Sequence, residues 1–282
     1  MSLDSMADIL HCMEQEGKEF WEVVLAADME ERQVSRESSL SKMLTTWQAM
    51  VDASDSYTGD RRSVSGLVGG DGLKMRQYAI RGKAMSGGYV SEVIAEALSM
   101  AESNACMRRI VAAPTAGACG VLPAVLLPLC KYEELTQHQL LEALYVAAGI
   151  GSVIAYKASI AGASGGCQAE IGSASAMAAA GLAYLQGGDD EQIVNAMAFA
   201  LKNMLGLTCD PIGGLVQIPC IERNAMGAVK AVNSARIAMK GDGTHFVSLD
   251  DVIKTMLDTG RDMNNKYKET SLGGLAVNVP NC

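Results

Sequence analysis

The chain holds eight cysteines, and three of them sit beside backbone breakers. Their contexts are Gly165-Gly166-Cys167-Gln168, Thr208-Cys209-Asp210-Pro211-Ile212-Gly213-Gly214 and Ile218-Pro219-Cys220-Ile221-Glu222. In two of these a helix is predicted to begin at or just after the cysteine. A helix start offers unpaired N–H groups and the positive end of the helix dipole. Both stabilise a thiolate, the form that binds metal, and thiolates select zinc or iron–sulfur clusters. The gaps, 42 residues from 167 to 209 and 11 from 209 to 220, contain no Cys-x-x-Cys pair. Spacing therefore leaves two readings open: a thiolate metal site, or three unrelated buried cysteines. Three ligands instead of four would leave an open metal position, the arrangement of a catalytic Lewis acid.

Cys12, Cys106 and Cys130 lie in helical or apolar surroundings and read as small buried hydrophobes. Cys119, within Pro114-Thr115-Ala116-Gly117-Ala118-Cys119-Gly120, reads first as structural, with a site role as the other possibility. Cys282 ends the chain and carries a thiol and an α-carboxylate on one residue. Ser63, Ser65, Gly69 and Gly70 form a loop of hydroxyls and glycines suited to an anion-binding nest, against the plainer reading of a flexible loop. Thr115, Gly117 and Ser164 are similar candidates. Lys266 reads as a solvated lysine. His11 and His138 fall in helical segments and read as surface residues. His245 lies in the turn Gly241-Asp242-Gly243-Thr244-His245 and is a weak candidate general base.

The elements that must position these groups are helical. Apolar periodicity predicts helices over 4–30, 38–51, 90–101, 222–239 and 248–257. Two sequence capping boxes, Thr136-x-x-Gln139 and Asp189-x-x-Gln192, predict two more starts, with Gly206 as a stop for the second. Residues 52–88 dissolve into glycine, serine and charge, too long for a mere connection, and long ordered loops often carry function. Sustained alternation of apolar and polar residues is nearly absent. The expectation is an all-α fold: a compact multi-helix bundle with long Gly/Ser-rich functional loops. It is expected to form a single catalytic domain over 1–282, in which 1–51 could stand as an N-terminal helical piece.

Composition narrows the class. The net charge of −9 and pI of about 4.9 argue against nucleic acid or an anionic membrane as partner. The uncharged run Val111 to Cys130 has the length of a membrane span, but Pro114, Pro123 and Pro128 with Gly117 and Gly120 mark it as a broken, buried segment. Met1-Ser2-Leu3-Asp4 shows no secretory signal, so a cytoplasmic chain with reduced cysteines is expected.

At these motifs the chain resembles the iron–sulfur-dependent L-serine dehydratases. The runs that carry the resemblance are Ala113-Pro114-Thr115-Ala116-Gly117, Gly162 to Gly172, Cys209 to Cys220, Glu222-Arg223-Asn224, Gly260-Arg261-Asp262-Met263 and Leu272-Gly273-Gly274-Leu275-Ala276. The resemblance covers nearly the whole chain from about Ser63 to Cys282. The resemblance implies an α chain that converts L-serine to pyruvate and ammonia with a [4Fe–4S] cluster and no pyridoxal phosphate. Cys167, Cys209 and Cys220 would hold three irons, leaving the fourth to bind the substrate hydroxyl as a Lewis acid. Ser63, Ser65, Gly69, Gly70, Thr115, Gly117 and Ser164 would bind substrate. A β chain is implied as partner in an oligomer, and the general base is expected on it. Cys282 matches serine's hydroxyl and carboxylate nearly atom for atom, and the resemblance makes it a tail that can occupy the fourth iron. The rival readings are a cluster lyase acting on cysteine or threonine, a non-enzymatic iron–sulfur sensor and a structural zinc protein.

Overall fold

In the computed structural model, residues 3–82, 84–241 and 245–279 are described. Among them the chain forms thirteen α-helices and no strand, so the expected all-α bundle is what forms. The segment predicted as one helix over 4–30 is two. Ser5 caps α1 (Met6–Glu16), and Gly17 ends it at φ +61°, its N–H closing on the Met13 carbonyl. A left-handed residue cannot continue a right-handed helix, and glycine takes that conformation without steric cost. The chain then restarts as α2 (Phe20–Arg32). Ser35 starts α3 (Arg36–Asp55), which runs longer than its apolar stripe suggested. Ile9, Phe20, Trp21 and Trp47 from these three helices share one core cluster with the rest of the bundle.

The irregular stretch 52–88 contains α4 (Asp71–Ile80), a helix with only Gly72 buried and hence no apolar stripe to betray it. It lies against α5 (Gly87–Ala105). A Cβ on Gly72 would lie 2.8 Å from the Ser99 nitrogen, so α4 and α5 approach at backbone distance. The run Val111–Cys130 supports only the nine-residue α6 (Val121–Leu129). Thr136 and Gln139 form the expected reciprocal cap of α7 (Gln137–Lys157). By length and apolarity α7 would suit a membrane span, yet 67% of its most apolar window is buried within the bundle. That is the pattern of a core helix. Gly149 lets α7 meet α2 closely, since a Cβ there would fall 2.5 Å from Val24 Cγ2.

After α8 (Gly162–Gly165) a π-helical turn, Gln168–Gly172, leads into α9 (Ser173–Leu185). Helix α9 is central and packs on α6, α7 and two helices that follow it. Its residues Ser173 to Ala183 are all buried. A helix apolar or small all round has no 3,4 stripe, which is why periodicity misses it. Asp189 and Gln192 cap α10 (Asp190–Lys202) as expected, but the helix ends at Asn203, three residues before Gly206. The remaining helices are α11 (Cys220–Lys240), α12 (Leu249–Asp262), capped by Ser248, and the short α13 (Leu275–Asn278).

One buried carboxylate organises the 57–72 region. Glu102, 1% exposed, accepts the backbone N–H groups of Gly70 (3.0 Å), Asp71 (2.8 Å) and Gly72 (3.4 Å) at the open start of α4, and the Tyr57 hydroxyl. Four donors on one buried carboxylate offset its desolvation, and truncation would leave them unpaired. Glu102→Ala is expected to lower stability by about 3 kcal/mol. Urea unfolding monitored by circular dichroism checks this; a loss within experimental scatter would contradict the assigned role.

Candidate functional site

Each of the three breaker-flanked cysteines is fixed by backbone geometry. Cys167 follows Gly166, at φ +77°, where a Cβ would press on Met263 Sδ (2.7 Å) and the Leu207 carbonyl (2.8 Å). Gln168, fully buried, ties this turn down. Its N–H donates to the Leu207 carbonyl (3.0 Å), and its amide nitrogen to Gly165 (2.9 Å) and Met256 (3.1 Å) carbonyls. Cys209 makes an isolated parallel bridge to Lys268: its N–H donates to Tyr267 O (2.8 Å), and its carbonyl accepts from Glu269 (2.7 Å). Cys220 is the first residue of α11.

The first turn of α11 joins the three. The Arg223 guanidinium donates to the Thr208 carbonyl (2.8 Å) and to Asp210 Oδ1 (2.8 Å), and its charge favours the Cys167 thiolate. Asn224, 1% exposed, donates to the Cys220 (2.8 Å) and Gly117 (2.7 Å) carbonyls and accepts the Gly120 N–H (2.9 Å). The 115–120 loop is thereby pinned to the same helix start.

Glu170, in the π turn, completes the group. Thr115 Oγ1 donates to its Oε1 at 2.6 Å. A Cβ on Gly117 would lie 2.9 Å from Oε1, and one on Gly162 would lie 3.1 Å from Oε2 and 3.0 Å from Cys209 Sγ. Glycine at 117 and 162 thus leaves room for the carboxyl and the thiol. A π turn shifts side-chain direction within a helix and recurs at functional sites; here it carries Glu170. Sequence reasoning missed this residue, although it lies inside a motif that carries the family resemblance.

The electrostatics differ from the expected thiolate stabilisation. Burial raises the Cys167 thiol to about 11 despite the opposing pull of Arg223. Burial, then the charges of Cys167 and Glu170, push Cys220 up to about 12. Cys209 is raised for the same first reason and then by Cys167, Glu269, Glu170 and Cys220. A single helix start at Cys220 does not outweigh desolvation. The mutual influence of the thiols shows that the three lie within electrostatic reach of one another. Burial also raises the Glu170 carboxyl, against the lowering effect of the Thr115 hydrogen bond.

The expected substrate-binding residues divide. Thr115 and Gly117 border Glu170. Ser63 and Ser65 contact each other (2.9 Å) and donate to Gln217 Oε1 (3.1 and 2.6 Å), in the segment that links Cys209 to Cys220. Gly69 and Gly70 do adopt left-handed φ of +135° and +89°, but the anion in this nest is internal: the Gly70 N–H is committed to Glu102. Ser164 lines a cavity of about 280 Å³ with Ser159, Gly165 and Arg261, and none of the three cysteines borders it. A larger cavity of about 680 Å³, lined by Trp47, Arg76, Glu96 and Leu127, is likewise remote from them.

Cys119 is buried, its thiol raised to about 12 by desolvation, and it donates to the Met100 carbonyl. Cys130, expected buried, is exposed, while Cys12 and Cys106 are half-buried. His245 packs on Phe199 and meets Lys202 Nζ at 3.0 Å; burial and that cation lower its pKa. His138 pairs with Glu142 (2.7 Å), and His11 is exposed on α1. Lys266 is exposed, as expected. Cys282 lies outside the described residues.

Three thiols, a carboxyl and a guanidinium from separate loops of a helical bundle are thus drawn to one region around the start of α11. The chain belongs to the serine dehydratase alpha chain family, whose model matches residues 15–276. It is 42% identical over 256 residues to the probable L-serine dehydratase, alpha chain, of Bacillus subtilis (strain 168), covering 91% of this chain and 85% of that one. It is 54% identical over 187 residues to an L-serine dehydratase of Streptomyces coelicolor, covering 66% of this chain and 41% of that one. An L-serine dehydratase of Escherichia coli (strain K12) is 54% identical over 184 residues, which cover 65% of this chain and 40% of the relative. The match thus spans most of the relative named as an α chain but about two fifths of these last two.

The tail is steered toward the site by one carboxylate. Asp210 Oδ2 accepts the Leu275 N–H (2.8 Å). Gly274, at φ +64°, would place a Cβ 2.2 Å from that oxygen. Gly274→Ala is expected to break this anchor and speed amide exchange over 272–279, leaving protection in α9 unchanged. Hydrogen-exchange mass spectrometry reads both segments, and unaltered tail protection would refute the anchoring role.

Proposed function

We propose that this chain is the α chain of an L-serine dehydratase, in which Cys167, Cys209 and Cys220 each hold one iron of a [4Fe–4S] cluster. The observation that carries the reading is the convergence of these thiols, from three separate loops, around Glu170 and Arg223. The donor set fits such a group. Among the described residues no three His, Cys, Asp or Glu side chains could share a single metal ion. What supports a cluster is the chemistry of the donors, since thiolates are the ligands of iron–sulfur clusters. Buried thiols that raise one another's pKa are the groups a cation would deprotonate.

When bound, the cluster would supply a Lewis acid for the departing β-hydroxyl. The chain's own groups would do the rest of the positioning. Thr115 holds Glu170 beside the thiols, where the carboxyl can meet the substrate ammonium. Arg223 holds Cys167 and Asp210 in register. Ser63 and Ser65 stand on Gln217 at the approach to the Cys209–Cys220 segment, and their hydroxyls can turn to a substrate carboxylate. Loss of the α-proton and of hydroxide gives aminoacrylate. This tautomerises to the imine, and water then releases ammonia and pyruvate.

The base that removes the α-proton is assigned to the β chain, since all three histidines have their partners or surroundings elsewhere. A second reading gives this step to Glu170, favoured by its position against the thiols. Cys282 is proposed to compete with substrate from the tail that Asp210 anchors. The assembly is an αβ oligomer acting on L-serine in the cytoplasm, without pyridoxal phosphate, in amino-acid degradation and gluconeogenesis.

Anaerobic iron and sulfide analysis, with pyruvate release from L-serine, tests the reading. The α chain alone is expected to hold the cluster, and turnover is expected only with β. Full turnover by α alone would overturn the assignment of the base. Replacing Cys167, Cys209 or Cys220 by serine should each abolish the visible cluster absorbance; retained iron in any of the three would remove that residue from the ligand set. Glu170→Gln should lower kcat/KM by about 10²-fold or more with cluster content unchanged. Deletion of Cys282 should abolish any lag before steady turnover.

A further inference from the structure

Three loops near the site present aliphatic side chains to solvent. Val64 is 97% exposed, Leu272 71% and Val277 55%, and Leu215 and Val216 are exposed to a lesser degree. The segments that carry these residues are tied to one another by hydrogen bonds. Ser65 joins the first loop to Gln217 (2.6 Å), inside the segment that runs from Cys209 to Cys220. Ser271 donates to the Pro211 carbonyl (3.4 Å), and Leu275 donates to Asp210 (2.8 Å), which joins the tail to the other end of that segment. The loops are therefore ordered against one another while their apolar tips remain uncovered. Single exposed aliphatics are ordinary; several on segments that hydrogen bonds hold together beside a polar site mark an interaction surface.

We infer that this rim is the docking surface for the β chain, which seats an apolar face on Val64, Leu215, Val216, Leu272 and Val277. The inference rests on the two-chain reading above. The matched region fills 85% of a relative named as an α chain but about two fifths of the Streptomyces and Escherichia relatives. Those relatives carry in one polypeptide a length that an α chain lacks. A segment that completes this site must reach the Cys209–Cys220 loop, and the other two rim segments are hydrogen-bonded to that loop at Gln217, Pro211 and Asp210. A second copy of this chain is a poorer occupant, because self-pairing through the rim would close both sites at once.

The test uses the full chain, loaded anaerobically with cluster, and the β chain of the same organism's L-serine dehydratase. Val64→Asp with Leu272→Asp places two charges in the rim. Ile237→Asp, on an equally solvent-facing position of α11 about 25 Å along the helix from Cys220, is the control. Calorimetric titration of β should show binding weakened at least 100-fold by the rim variant and unchanged by the control. Thermal unfolding and the cluster absorbance of the isolated chains should match wild type, which excludes a folding defect. If thermal unfolding shows the rim variant misfolded, amide protection of 63–67, 212–217 and 271–279 in the wild-type pair decides: protection by β supports the surface, and its absence there refutes it. Wild-type affinity in a folded rim variant would overturn the docking surface while leaving the two-chain reading intact. Full pyruvate production by the wild-type chain with no binding of β would overturn both. Concentration-dependent self-association lost in the rim variant, without β binding, would assign the rim to a second copy and also overturn the proposal.

Discussion

The Arg223 guanidinium donates at once to the Thr208 carbonyl and the Asp210 carboxylate and acts electrostatically on the Cys167 thiol, and the geometry of the site depends on this shared cation. Arginine suits the task because its planar fork of donors serves several acceptors without losing its charge. One neighbour belongs to the turn after α8, and the two acceptors flank Cys209 on either side. Arg223 itself is three residues after Cys220. A single side chain thus sets the relative positions of loops far apart in sequence. Asn224, the next residue, does the same for the 115–120 loop. Adjacent residues at a helix start point in different directions, so Arg223 and Asn224 reach different neighbours.

Elsewhere the irregular segments are ordered by internal polar partners. Glu102 fills the amide nest before α4, and Gln217 accepts from both serines of the 63–65 loop. Gln168 bonds three backbone groups between α8, α12 and the approach to Cys209. A loop beside a core must satisfy its backbone groups from somewhere, because unpaired buried donors and acceptors are costly. These side chains supply the partners, which is how long Gly/Ser-rich stretches acquire one geometry. The same commitment removes Gly70 from the set of free anion-binding groups.

The thiols occupy an environment that is unfavourable to charge when they stand alone. Desolvation leads every one of their shifts, and each negative neighbour adds to it. The nearby cation is already engaged by Asp210. A site of this kind gains most from a bound cationic group, since deprotonation and charge compensation then occur together. Burial that opposes free thiolates, and the grouping of thiols that a bound cation would deprotonate, are thus two aspects of one arrangement.

The sequence by itself determined the helical class, the capping-box starts of α7 and α10, and the three cysteines as a group set apart by their flanking breakers. Those features are local: a cap is a contact across three residues, and a breaker acts on its own backbone. Motif runs added the family and its expected ligands. The split at Gly17, the helix α4 and the all-round buried α9 escaped periodicity. The first is decided by one backbone angle, and the other two have no amphipathic stripe. Only the tertiary structure decided that Thr115 meets Glu170 across 55 residues, that Ser63 and Ser65 rest on Gln217, and that the Gly70 amide belongs to Glu102. Such pairings depend on which loops the packed helices bring together. A one-dimensional pattern records the chemistry of each side chain, whereas the partner it meets is set by the fold.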